Sequence, residues 1–423
     1  MNWLLRIKNK LIQVSPEQLY LSTFVLYLIS VTIKTTTFVT YYPHWLGTLV
    51  QLFTLLVMLS KLVFLDELSL NQILIDLGLV SLGIIVSLTS GVHSIIVTVL
   101  LVLEARQVEF KKIVKVYLIV IGSILISAFF SAEVGLIQNI TFDTADGLRQ
   151  SFGVLYTTDF AAHIFYLCCA YLYLRARTFR LIDLVPVGCG FFIIYRYTQT
   201  MTDIMALITL VIMYLIYVYR WQLGHIGVFS IILRYSFLAM PIFSLIILHL
   251  SATFDYRNPV YQKLNDLLST RLALGNGAIL AYGFKLFGQS PVNINGWGGD
   301  RVSSFNQSLG NLTYFFIDSS YMNLMISYGL LFTIVVILGT SYFLYRRIKK
   351  NDYLLPGIML AVALASAIDQ HLLEITYNVF LLAYFAELPV YSMKLTPSFT
   401  AQAWDQVEKT TVARSEVDDT QTE

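Results

Sequence analysis

At 423 residues, with 57% hydrophobic and 13% charged positions and a mean hydropathy of +0.69, the chain is too apolar for a soluble globular domain. The net charge of +2 gives no basis for nucleic-acid binding, because the cations sit at the ends of apolar runs. What remains is an all-α, polytopic membrane helical bundle, in which each helix satisfies its own backbone polar groups within lipid.

Residues 1–18 place Trp3, Leu4, Leu5, Ile7, Leu11 and Ile12 among Arg6, Lys8 and Lys10, the pattern of a short helix lying in the cytoplasmic interface. No small-residue cleavage pattern follows, so the first span is expected to be an uncleaved anchor. Apolar runs at 19–39, 45–63, 71–89, 93–104, 116–133, 160–174, 182–198, 203–219, 229–250, 320–344, 353–368 and 376–393 predict about twelve transmembrane helices within a membrane domain spanning 19–394. The fourth run is short for a bilayer and reads as tilted, broken or re-entrant. Two outer loops are long, 133–159 and 251–318, and residues 395–423 read as a disordered cytoplasmic tail. Cys168, Cys169 and Cys189 all fall inside apolar runs and read as small hydrophobes.

Charge sets the orientation. The outer side keeps Arg149, Arg257, Lys263, Arg271, Lys285 and Arg301, while Lys34 and Arg196 fall within spans. The other Lys and Arg gather on the opposite side, which puts both termini in the cytoplasm and the large loops outside. Lys34, near a helix end, can snorkel.

A membrane protein that keeps a long aqueous loop rich in Arg, Asn, Gly and aromatics is expected to handle a ligand there. Guanidinium groups such as Arg149, Arg271 and Arg301 near the headgroups suit a lipid-linked pyrophosphate, or serve as solvated anchors. Arg196 and Asp203 share a face if their helix continues, either as functional groups at membrane depth or as an ion pair joining two spans. Asp318 stands before an apolar run, where it can cap a helix or meet substrate. DQHLLEITYN (369–378) gathers Asp369, His371, Glu374 and Asn378. Of these, His371 or Glu374 is a candidate general base, or else an interface residue. Trp297, with Tyr256, Tyr261, Tyr282, Phe284 and Phe287, offers flat faces for sugar rings. NGWGGDR (295–301) is no nucleotide fingerprint, because no strand and helix frame it. No residue pattern calls for a metal or an organic cofactor.

These motifs, in their order, resemble the Wzy-type polysaccharide polymerases of bacterial capsule, exopolysaccharide and O-antigen pathways, particularly those of Gram-positive organisms. The likeness runs over most of 45–393 and is carried by RQSFG (149–153), YRYTQTMTD (195–203) and STRLALGNGAILAYGFKLFGQ (269–289). IDSSYMNLMISYGLL (317–331) and ITYNVFLLAYF (375–385) complete it. It implies a C-type integral-membrane glycosyltransferase in the bacterial plasma membrane, joining repeat units carried on undecaprenyl pyrophosphate at the outer leaflet. It also implies a flippase and a chain-length regulator as possible partners. Arg149, Arg196 and Arg271 would then stabilise the departing pyrophosphate without a metal, and His371, Glu374 or Asp318 would take the acceptor proton. The first outer loop departs from the family pattern, reading SFGVLYTTDF where relatives carry a His-Pro-Asn-like run, so no histidine role transfers there. A lipid-linked glycan ligase would share these features, while a flippase or transporter would spread its charges through several spans.

Overall fold

Each helix along the chain is an apolar run that ends where a cap, a glycine or a polar turn interrupts it. The computed structural model describes residues 15–144, 147–219, 227–290 and 315–389. The expected interfacial stretch before residue 15 and the tail after residue 394 lie outside the described residues.

Helix α1 (Pro16–Ile33) opens on a proline in its first turn, where no backbone donor is needed. Helix α2 (His44–Phe64) follows, then α3 (Leu70–Ser90), whose start is held by Gln72 reaching back to the Ser69 amide at 2.8 Å. The short run expected at 93–104 is α4 (Ser94–Glu104), and α5 (Phe110–Glu133) comes next. A two-stranded antiparallel hairpin, β1 (Thr141–Thr144) with β2 (Gly147–Gln150), then interrupts what was expected to be all-α. Helix α6 (Thr157–Arg175) is buried along most of its length. After it come α7 (Val185–Ile193), α8 (Met201–Val218), α9 (Gly227–Tyr235) and α10 (Ala239–Ala252). The long connection after α10 folds two short helices, α11 (Pro259–Leu267) and α12 (Arg271–Tyr282), before α13 (Ser320–Asn323), α14 (Leu330–Lys349) and α15 (Leu354–Ala365). Among the described residues, seven helices are long and apolar enough to cross a membrane, and α4 and α15 are shorter apolar helices. Exposed leucines such as Leu52, Leu56, Leu77 and Leu88 along α2 and α3 fit a lipid-facing surface.

Several expected spans are not continuous α-helix, among them 229–250, where a 3₁₀ segment (Ser236–Leu238) parts α9 from α10. The run 182–198 ends in a wide π turn (Ile194–Thr198) and a left-handed Gln199 (φ 53°) before α8 begins. The run 320–344 breaks between a π turn (Leu324–Tyr328) and Gly329, which has φ 91° and ψ 159°. The last expected run, 376–393, has only a 3₁₀ segment (Val379–Tyr384), nearly all of it buried. Its peptide groups are satisfied by neighbours. Tyr117 donates to the Tyr377 carbonyl, Asn378 accepts from the Phe380 amide, and Glu387 exchanges backbone bonds with Val108 and Phe110 at 2.9 Å. Irregular backbone is tolerated in an apolar setting when protein encloses it.

The connections sort the polar groups into two ends. At one end charges are paired: Lys61 with Asp66 (2.8 Å) and Glu104 (3.2 Å), Arg175 with Asp183 (2.9 Å) and Arg347 with Asp352 (2.6 Å). Arg106 pairs with Asp76 and lies over the Phe385 ring at 4.7 Å. These bonds brace the ends of α2, α3, α4, α6 and α14. The other end carries the hairpin, the Gln199 break and the turn after α15.

That second end also holds a backbone seam. The loop before residue 290 is stitched to the Gly329 break, with Leu330 and Leu331 donating to the carbonyls of Lys285 and Leu286 and Gln289 donating to Ser327, each at 3.0 Å. A Cβ at Gly329 would stand 2.2 Å from the Gly288 nitrogen. Its dihedrals belong to a region open in practice to glycine alone. Gly329→Ala should therefore cost about 1–3 kcal/mol or more, read as a lower thermal midpoint in detergent. Gly122→Ala, whose added methyl would meet nothing within 4 Å, should leave the midpoint unchanged; equal midpoints for both would refute the seam's role.

Candidate functional site

The hairpin positions the first arginine. In RQSFG, Phe152 (φ 50°) and Gly153 (φ 81°) form a left-handed turn, fixed by the Phe152 amide donating to Asn139 Oδ1 at 2.9 Å. A Cβ on Gly153 would strike the Ala128 carbonyl at 2.7 Å, so only glycine fits. Thr37 donates to the Gly153 carbonyl (2.8 Å) and Leu155 to that of Thr35 (3.0 Å), which ties the turn to the end of α1. Phe152 then packs against Phe129, Phe160 and Tyr197. Thus anchored, half-buried Arg149 donates through Nε to the Thr198 carbonyl at 2.6 Å, a carbonyl at the π turn where the helix ends.

The second arginine is held alike. Asn265 Oδ1 accepts the Ala273 amide at 2.9 Å and the Asn265 carbonyl accepts the Thr270 amide at 2.8 Å. Together they hold Ser269 and Thr270 both at positive φ just before α12. Such strain costs on the order of 1–3 kcal/mol per residue and persists only where surroundings enforce it. Arg271 at the head of α12 donates through Nε to the Ile368 carbonyl (3.0 Å) and through Nη1 to Ser269 (3.1 Å), with Asp318 3.8 Å from Nη2. Burial first, then the nearby Arg271 charge, lowers the Arg149 guanidinium below its ordinary value, while Asp203 pulls the other way. Two arginines distant in sequence therefore stand near enough for the charge of one to act on the other.

Carboxylates and histidines line the rest. Asp203, in the first turn of α8, is 1% exposed and has the Thr200 hydroxyl and the Asp369 carboxyl beside it. It faces Asp369, whose carboxyl is raised above the ordinary range by burial, against the pull of His371 and Arg271. Two facing buried carboxyls hold a proton between them more readily than two charges. His371 lies between Glu374 (Nδ1 to Oε2, 3.2 Å) and Asp159 (Nε2 to Oδ1, 3.6 Å). Burial opposes a charge on its imidazole, but Glu374 and Asp159 outweigh that, and the group titrates well above its ordinary value. His371 stacks on Tyr377 at 3.7 Å between centroids, and His163 stacks on Tyr377 at 4.1 Å. His163 Nε2 in turn meets the Thr35 hydroxyl at 3.0 Å. An imidazolium so placed is a donor and a fixed positive charge. Glu374 keeps its side chain 43% exposed beside it.

The structure brings Arg149, Arg271, Asp203, Asp318, His371 and Glu374 to this end of the bundle. It does not form the expected Arg196–Asp203 ion pair, because the helix breaks at Gln199 between them. Arg196 is exposed and leans over Tyr197 at 5.7 Å, while Asp203 is buried. Asp318 does not occupy the cap position of the following helix; Ser319 does, and the Asp318 carboxylate turns toward Arg271. Asn378 is fully buried and holds its own turn together. Cys168 and Cys169 are buried as expected, whereas Cys189 is exposed. Trp297 and Arg301 lie outside the described residues. The sequence reading missed Asp159, His163 and Tyr377. Asp159 reads as an ordinary first-turn acid and the other two as core aromatics, and no spacing links any of them to His371.

A raised histidine value has a definite sign. The charged His371 stabilises the fold fully below about pH 6.5, its unfolded value, and that contribution fades as pH climbs through the folded value. The thermal midpoint should fall from pH 6.5 upward, and His371→Gln should flatten this slope. Identical pH profiles for the two proteins would contradict the His371 environment described.

No family model matches the sequence, and neither a curated protein nor a solved structure matches it.

Proposed function

We propose that the protein is a polysaccharide polymerase of the bacterial plasma membrane, a C-type glycosyltransferase crossing the bilayer about twelve times with both termini in the cytoplasm. In this reading the Arg149–Arg271 chamber opens at the outer face and binds oligosaccharide repeat units carried on undecaprenyl pyrophosphate. The observation that carries it is the manner in which the two arginines are held. Main-chain carbonyls grip each through Nε; among the described residues no acid is paired to Arg149, and the terminal nitrogens of Arg271 meet only the Ser269 carbonyl and, at 3.8 Å, Asp318. That is the arrangement a planar guanidinium needs to clasp a diphosphate.

The chemistry follows. A sugar hydroxyl of the incoming lipid-linked unit attacks the anomeric carbon of the growing chain. The new glycosidic bond forms as the bond to the diphosphate oxygen breaks, and the hydroxyl proton passes to the Glu374 carboxylate. Arg149 and Arg271 stabilise the negative charge that develops on the leaving diphosphate, where preorganised charge acts most strongly. His371 holds Glu374 in place. Arg196 stands at the rim, available to incoming phosphate rather than to the reacting bond.

Arg149→Ala and Arg271→Ala should each reduce polymer formation on the order of 10²-fold or more, with the protein still inserted and single repeat units still made. Lysine at either position should restore little, because it lacks the bidentate fork. The readout is glycan length together with lipid-linked intermediates in cells expressing each variant. Accumulation of single lipid-linked units at the outer leaflet supports the polymerase. Long polymer from both alanine variants, or units trapped at the inner leaflet, rejects it.

A further inference from the structure

A second site lies away from the chamber. Helices α3 and α4 pack on one another but α14 does not close against them, and between them runs a half-open groove of about 480 Å³ floored by the buried C-terminal segment. Its walls are apolar: Ile75, Val99, Val102, Val336, Gly339 and Tyr384 are representative. Among the lining residues only Arg346 is charged, and it stands at the end of the bundle where every other arginine just described is paired. Arg347 has Asp352, Arg175 has Asp183, and Arg106 has Asp76. Arg346 bonds only the Tyr342 hydroxyl (3.1 Å), over whose ring it lies at 5.9 Å, and no carboxylate reaches it among the described residues. Lys349 follows one turn on, over Tyr345 at 5.4 Å.

We infer that this groove binds one anionic phospholipid, its phosphate on Arg346 and an acyl chain running along α14 toward Leu373. Three observations converge. The groove lies on the exposed flank of apolar helices, so lipid is what meets it. Its mouth carries a guanidinium with no acid partner, which complements a negative headgroup. Gly339, whose added methyl would meet nothing within 4 Å, keeps the floor open along the path an acyl chain would take. The inference does not depend on the reaction carried out in the chamber.

The test uses the full-length protein purified in an uncharged detergent, with phosphatidylglycerol or phosphatidylcholine added back. Native mass spectrometry reads lipid retention and thermal unfolding reads its effect. Phosphatidylglycerol should be retained at one copy and raise the midpoint, whereas phosphatidylcholine should do neither. Arg346→Gln should weaken retention roughly tenfold, the scale of one charge-assisted contact, without changing the lipid-free midpoint. Gly339→Leu should block the groove and abolish retention of the same lipid. If Gly339→Leu fails to fold, Arg346→Gln and the headgroup comparison still decide the matter. Equal retention of both lipids, or undiminished phosphatidylglycerol on Arg346→Gln, would overturn the inference, as would displacement of the phospholipid by a polyprenyl diphosphate.

Discussion

The arrangement rests on how this chain satisfies buried polar groups where water is scarce. At one end of the bundle it pairs charge with charge: Lys61 between Asp66 and Glu104, Arg347 on Asp352. Those pairs offset the cost of desolvating each partner and leave little capacity over. At the other end the two arginines are satisfied differently, each through Nε by a backbone carbonyl at an interruption of helix, Arg271 having the Ser269 carbonyl and a more distant Asp318 as well. A carbonyl fixes the side chain without cancelling its charge. Position and residual charge, the two properties an anion site needs, thus come from the same hydrogen bond.

The interruptions are therefore part of the architecture and not flaws in the packing. Thr198 offers its carbonyl because a π turn and a left-handed Gln199 end the helix there. Ile368 offers its own because α15 stops at Ala365 and the chain turns toward His371. The Gly329 break lets the loop before residue 290 add its backbone to that of the neighbouring span. Each departure costs conformational energy, and each is enforced by contacts outside the segment itself: Asn265 for the Ser269–Thr270 turn, Asn139 for the turn at Phe152.

Much of this was legible in the sequence, and the remainder was hidden for physical reasons. Apolar runs gave the helical membrane class, and the cations expected on the outer side singled out Arg149 and Arg271 as candidates. Arg196 and Asp203 were joined only on the condition that the helix continue through YRYTQTMTD, and nothing local announces the π turn that breaks it there. The hairpin was missed because its strands are four residues each and show no strong alternation. ITYNVFLLAYF reads as a helix by composition, but its conformation is set by Tyr117 and Asn378. The Asp159–His371 contact joins residues far apart in the chain, and no periodicity encodes such a pair.

The irregular C-terminal segment also bears on how the molecule is made. A helix entering a bilayer carries its own hydrogen bonds and can settle alone. Residues 375–386 cannot, because their peptide groups depend on partners in α5 and on the turn at Leu372. This stretch must wait in a sheltered place until α5 and its neighbours have assembled around a vacant slot. Biogenesis thus has an imposed order: this late segment is the keystone, and a chain truncated before it would leave the slot beside Tyr117 open to lipid.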